Sequence, residues 1–213
     1  MDEVEWFGGS DPTRMLATLT GGASGRKLRL FACACCDRIG HLLADDQHRE
    51  ALAVVERIAD GRASQPELAD VRARATAAIY LATEPDVAAS AASTSAVCAA
   101  LLAEQHGDLN HPKGQGDYYA AEAGERRAQC RLLRDIFGNP FRPVAFSPAW
   151  RTDTAVLLAT QMYDTRDFCA MPILADALQD AGCDNADILT HCRHPEGVHV
   201  RGCWVADLVL GKE

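Results

Sequence analysis

The chain has 213 residues, of which 48% are hydrophobic and 24% are charged, and its formal net charge is −9. This length fits one large domain or two small ones, and it allows a substantial buried core without disulfide staples. The acidic balance disfavours nucleic acid and anionic membranes as main partners, because both require a basic face.

The N-terminus and the hydropathy pattern predict a cytoplasmic protein. The opening residues, MDEVEWFGGSD, are acidic and lack the apolar region of a signal peptide. No apolar run approaches the length of about 18 residues that a membrane span needs. We therefore expect no membrane contact, and we expect the nine cysteines to be reduced thiols, core residues or metal ligands.

Helical periodicity organises the first half of the chain. A short helix is predicted from Asp11 to Leu19. The first long helix is Lys27 to Ala44, where the apolar stripe places Cys35 and Cys36 on buried sides. A second long helix is predicted from Gln47 to Asp60. A third begins at the capping box formed by Ser64 and Glu67, and a fourth runs from Val87 to Glu104.

The second half contains a loop, a long helix and a proline-rich segment. Gly107 to Gly116 is predicted to be a loop, and Asp117 is predicted to cap a helix that ends at Phe137. Asn139 to Trp150 contains three prolines and several large apolar residues, which predicts a buried extended strap. Trp204 lies in the last apolar run and is expected to be largely buried. The remaining helices are predicted at Asp153 to Tyr163, Asp167 to Asp180, Ala186 to Cys192 and His199 to Leu210.

The pattern as a whole predicts an all-α fold. No run of about four to eight residues alternates convincingly between polar and apolar positions, as a half-buried strand would. We predict one helical domain over residues 1–213, an irregular bundle of about seven to nine helices with an extended Pro-rich strap.

Several stretches carry a resemblance to a known family. They are KLRLFACACC at 27–36, RDIFGNPFRPV at 134–144, DAGC at 180–183, DILTHCR at 187–193 and HVRGCWVADLVLGK at 199–212. These motifs resemble an uncharacterised helical family of planctomycete-type genomes. The resemblance implies a helical fold. It implies no chemistry, because the family has no established activity.

The C-terminal stretch from Ala181 to Lys212 is dense in cysteine and histidine, the residues that zinc favours in tetrahedral sites. The predicted metal ligands are Cys183, Cys192, His199 and Cys203. On the predicted last helix His199 and Cys203 are four residues apart and share a face. His191 is an alternative to Cys192, because adjacent helical residues point in different directions. The competing interpretation is that the thiols pack in a core and the histidines bond to backbone or carboxylate groups.

Two further groups have chemical potential. Cys203 follows a cationic residue near a predicted helix start, which lowers a thiol pKa, and His199 is its candidate base. His41 lies one helical turn from Asp37 and from Asp45, so a carboxylate could orient its ring as an alternative metal ligand. The competing interpretation of the His41 group is a solvated salt ladder.

These patterns predict a cytoplasmic binding or interaction module for an unknown protein or small molecule. Its C-terminal Cys/His segment is predicted to lock the fold and to be able to bind structural zinc. The alternative hypothesis is a small enzyme that uses a metal, or the Cys203 thiol with His199. A closed site with four protein ligands would favour the structural role, because catalytic zinc keeps one position open.

Overall fold

A computed structural model describes residues 1–19, 21–38, 46–64, 66–67, 69–70, 112–194 and 197–212. Within these ranges the regular structure is helical and no residue is in a β-strand, so the all-α prediction is confirmed. None of the described helices has the length and apolar character that crossing a membrane requires. Nine α-helices lie in the described part of the chain: Glu3–Gly8 (α1), Pro12–Leu19 (α2), Gly25–Arg38 (α3), Asp46–Ala59 (α4), Pro112–Phe137 (α5), Asp153–Thr165 (α6), Met171–Asp180 (α7), Ala186–Arg193 (α8) and Trp204–Leu210 (α9).

The chain divides into two compact units, Met1–Leu133 and Arg134–Glu213. The prediction of a single domain over residues 1–213 stays a prediction. The predicted helix at 87–104 and the group around His41 lie outside the described residues.

The first unit buries an ion pair beside its cysteines. Helix α3 packs on α4 and buries Cys35 and Cys36, as the apolar stripe predicted, and it buries Cys33 as well. Glu125 of α5 is only 6% exposed, and the Arg38 guanidinium donates to its Oε2 from Nη2 at 3.0 Å and from Nε at 3.2 Å. A permanent cation thus neutralises this buried carboxylate.

Helix α5 begins earlier than predicted. The sequence suggested a loop up to Gly116 and a cap at Asp117, but the helix starts at Pro112. Proline suits the first helical turn, because the N–H that it lacks would have no intrahelical partner there. Residues 112–116 are therefore helical and that part of the loop prediction is wrong. Residues 107–111 lie outside the described residues.

The strap that follows α5 is largely non-helical, as expected, but the prediction that it is buried is wrong: it turns at residues 139–142, and residues 139–150 are each exposed or only partly buried. Residues 139–147 are non-helical, and Pro148–Trp150 forms one 3₁₀ turn. Val144 and Phe146 are partly buried against the core of the second unit, whereas Phe141 is 40% exposed. An extended chain points successive side chains to opposite sides, so only part of the strap can face the core.

The second unit is built from α6, α7, α8 and α9 around one apolar core. Helix α7 begins at Met171 rather than at Asp167, whose carboxylate instead accepts a hydrogen bond from the Cys169 N–H at 3.0 Å. At the far end of α9, Arg151 donates to two terminal carbonyls, from Nε to Val209 at 2.8 Å and from Nη2 to Leu208 at 2.8 Å. These bonds satisfy carbonyl groups that a helix end leaves unpaired.

Helix α9 begins five residues later than predicted, at Trp204 rather than at His199. The preceding residues turn through Gly202, whose φ of +93° is a conformation that glycine tolerates and other residues avoid. The argument that His199 and Cys203 share a helical face is therefore wrong. Cys203 is the residue that precedes the helix, and His199 belongs to the loop.

Candidate metal centre

Four side chains able to bind a metal meet in the second unit, and one ligand atom from each lies within 4.8 Å of the others. Asp135 comes from the last turn of α5 and His191 from α8. His199 comes from the loop before α9, and Cys203 is the residue that immediately precedes that helix. Three separate chain segments thus converge on one point.

The distances within the group resemble those of a tetrahedral site. Asp135 Oδ1 lies 2.8 Å from His199 Nδ1 and 3.3 Å from His191 Nε2. Cys203 Sγ lies 3.2 Å from His191 Nε2 and 3.9 Å from His199 Nδ1. Tetrahedral zinc, with nitrogen at about 2.0–2.1 Å and sulfur at about 2.3 Å, separates its ligand atoms by roughly 3.3–3.6 Å. The four distances bracket that range, so small side-chain shifts would accommodate an ion.

Asp135 is held in place by its helix and by one backbone hydrogen bond. It lies on the apolar side of α5, between the buried residues Leu132 and Ile136. The Val200 N–H donates to its Oδ2 at 3.0 Å. This bond fixes the carboxylate and leaves Oδ1 facing the two histidines, as outer-shell partners of metal ligands commonly do.

The loop that carries His199 needs a glycine at position 197. A Cβ on Gly197 would lie 2.7 Å from His199 Nε2 and 3.0 Å from the His194 carbonyl oxygen, closer than carbon atoms normally approach. The backbone then turns and the Cys203 N–H donates to the Val200 carbonyl at 2.9 Å. The loop is therefore shaped around the imidazole.

His191 lies between two aromatic neighbours. Its ring centroid is 4.9 Å from that of His199, with the planes at 77°, and 5.2 Å from that of Trp204, with the planes at 55°. Trp204 is partly buried and packs against the core of the second unit. Its ring is also in contact with the site.

The group is shielded from water. The side chains of Asp135, His199 and His191 are 2%, 7% and 18% exposed, and Cys203 is fully buried. Burial alone would raise the pKa of Asp135, but hydrogen bonds from His191 and His199, together with their charges, lower it below the ordinary value. Burial, and then the negative charge of Asp135, raise the pKa of the Cys203 thiol well above its ordinary value.

A bound divalent cation would have the opposite effect and lower the pKa of the Cys203 thiol, because a metal ion deprotonates a coordinating cysteine. One carboxylate oxygen, two imidazole nitrogens and one sulfur would fill a tetrahedral shell. Such a site would be closed to substrate.

The structure brings together only part of the predicted ligand set. His199 and Cys203 are in the group, and His191 takes the place for which Cys192 was preferred. Cys192 is buried in the apolar core, because neighbouring helical residues point about 100° apart. Cys183 is also a core residue, and its N–H donates to the Leu178 carbonyl at 2.9 Å where α7 ends. That any of these residues binds a metal stays a prediction.

The residue that sequence analysis missed is Asp135. It is 64 residues before His199, in a helix that contains no histidine and whose cysteine, Cys130, is not part of the group. One signal could have found it, since an aspartate on the apolar stripe of an amphipathic helix must be compensated by a buried partner.

No protein-family model, curated protein or solved structure matches this chain. The resemblance to the helical family described above therefore stays a prediction.

Proposed function

We propose that this protein is a helical binding module whose C-terminal unit is locked by one zinc ion. The ligands are Asp135, His191, His199 and Cys203, and the module presents its surface to a cytoplasmic protein or small molecule. The support for the zinc site is the convergence of four ligand atoms of suitable chemistry in a shielded place. Four protein ligands make the role structural rather than catalytic.

One observation carries the proposal. Each histidine presents a single ring nitrogen to both the carboxylate and the thiol, Nε2 for His191 and Nδ1 for His199. Ligands of a shared ion point their donor atoms at one centre in this way.

The same observation argues against the alternative of a thiol enzyme. A catalytic base uses one ring nitrogen for the nucleophile and the other for the group that orients it. Here Cys203 and Asp135 both approach Nδ1 of His199. The buried thiol also has a raised pKa, whereas a nucleophilic cysteine needs a lowered one. The geometry therefore favours metal binding over thiol catalysis.

Elemental analysis of the purified protein, prepared without a metal-affinity tag, tests the proposal. We expect one zinc ion per chain, and cobalt(II) substitution should give the intense visible bands of a tetrahedral site that contains a thiolate. Cys203→Ser should lose the metal. Absence of any stoichiometric metal, after reconstitution with zinc, would refute the proposal and leave a hydrogen-bonded network in its place.

Cys192→Ser and Cys183→Ser are the matched controls, because both remove a buried thiol of the same core. We expect both to retain zinc and the cobalt spectrum while losing some stability. Loss of metal in these variants as well as in Cys203→Ser would instead support the ligand set predicted from sequence.

A further inference from the structure

Among the four proposed ligands, His191 is the most exposed. Its side chain is 18% exposed, against 7% for His199 and 2% for Asp135. A ligating histidine usually keeps its orientation through a partner beyond the metal, and loss of that partner weakens the site. The question is therefore what holds the His191 ring so that Nε2 points at the carboxylate and the thiol.

The Trp204 indole is placed to do this. It follows the ligand Cys203 directly, it begins α9, and its ring centroid lies 5.2 Å from that of His191. The indole itself is seated on Gly138, where a built Cβ would lie 3.1 Å from Cγ and 3.2 Å from Cδ2 of the tryptophan. A methyl group at position 138 would require the indole to shift by a few tenths of an ångström.

Gly138 is fixed in turn by the chain path. It ends α5 with a φ of +64°, and its N–H donates to the Arg134 carbonyl at 3.0 Å. The turn that follows the ligand Asp135 thus supports the ring that contacts the ligand His191. Two ligands from distant parts of the sequence share one packing arrangement.

We infer that Trp204 is a positioning residue for the metal centre: its indole, seated on Gly138, holds the His191 imidazole in the orientation that binds zinc. This inference rests on the proposed zinc site and adds a determinant of its affinity. The role is played by ring packing, where ligating histidines more often rely on a hydrogen bond to a carboxylate or carbonyl.

The test is the zinc affinity of Trp204→Leu, measured per folded molecule by competition with a chromophoric chelator. We expect affinity to fall about 10–100-fold, the usual effect of losing an outer-shell partner, and the cobalt(II) bands to shift. Trp204→Phe keeps a ring beside His191 and should restore most of the affinity.

Trp150→Leu is the matched control. Trp150 is also a partly buried tryptophan on the core of the second unit, but its aromatic neighbour is Phe146, at 5.4 Å. This variant should lose stability and keep the wild-type zinc affinity and cobalt spectrum. An equal loss of affinity in both leucine variants would show a general packing effect and overturn the inference.

The possible results distinguish failure of the inference about Trp204 from failure of the zinc proposal. If the wild type binds no metal, the zinc proposal fails and the inference falls with it. If the wild type binds zinc and Trp204→Leu binds it equally well with an unchanged cobalt spectrum, the inference alone fails. Should Trp204→Leu not fold, Gly138→Ala displaces the indole without deleting it, and unchanged affinity and spectrum there would also overturn the inference.

Discussion

Helix α5 carries two buried carboxylates that are neutralised in different ways. Glu125, in the first unit, is 6% exposed and pairs with the Arg38 guanidinium. Asp135, in the second unit, is 3% exposed and faces two imidazoles and a thiol. Arginine is charged at every physiological pH, so the first site is complete as an ion pair. Imidazole nitrogen and cysteine sulfur, by contrast, are also ligands that bind metals.

The partner of a buried acid, rather than its burial, decides whether the acid can contribute to a metal site. A guanidinium has only N–H donors and cannot bind a cation. An imidazole offers a lone pair, so a carboxylate that faces two of them can share an ion with them. The following experiments test this distinction, beginning with the largest expected effect.

Substituting each acid with its amide is the most direct test. Asp135→Asn should remove zinc and lower the free energy of unfolding by about 3–5 kcal/mol, the usual cost of breaking a buried charge pair. Glu125→Gln should lower the free energy of unfolding by less, because the Arg38 side chain that loses its partner is 37% exposed. The zinc content of this variant should not change. Chemical denaturation and elemental analysis measure both quantities. A loss of zinc in Glu125→Gln would contradict the distinction between the two buried carboxylates.

Chelation should destabilise the protein only through the candidate metal centre that contains Asp135. At free zinc of 100 times the dissociation constant, the ion would add about 2.7 kcal/mol to folding. Thermal melts with and without chelator should therefore differ for the wild type and for Glu125→Gln. They should coincide for Cys203→Ser. Identical wild-type melts under both conditions would contradict a structural metal.

Two glycine substitutions sharpen the contrast between the units. Gly197→Ala places a methyl group against His199, and overpacking of this kind costs roughly 1–3 kcal/mol, with weaker zinc binding as a second effect. Gly124→Ala, in α5, meets nothing within 4 Å and should stabilise the helix by roughly 0.5–1 kcal/mol. Denaturation midpoints distinguish the two, and a stabilised Gly197→Ala would mean that the loop is not shaped around the imidazole.

The smallest effect is expected at an exposed acid. Hydrogen bonds from Ser64 and Arg57 lower the pKa of Glu67 from 4.5 to about 2. Its contribution to stability should therefore be present above about pH 4.5 and be lost as the pH falls through about 2. Glu67→Gln should be slightly less stable than wild type at neutral pH, and the difference should vanish in acid. This pH profile would show that a lowered carboxylate pKa does not by itself mark a metal site.

The sequence predicted the fold class well because helical periodicity is a local property. The apolar stripe of α3 and the non-helical strap both follow from neighbouring residues. Helix starts were predicted less well at Pro112 and Trp204, where turn geometry and packing decide which residue begins the helix.

The candidate site was predicted in part for the same reason. The density of cysteine and histidine at the C-terminal end pointed to His199 and Cys203. The choice between His191 and Cys192 depends on the rotation of α8 about its axis, which tertiary packing sets. Asp135 could not be found by spacing, because a long-range contact brings it to the group.

Helix α9 has only seven residues, and both of its ends are secured by groups outside it. Cys203 anchors its start in the candidate metal centre, and Arg151 bonds the Leu208 and Val209 carbonyls at its end. Helices shorter than about 12–15 residues are marginal on their own in water. The amide hydrogens of α9 should therefore exchange with solvent deuterium whenever either anchor opens, and under the zinc proposal chelation should speed that exchange.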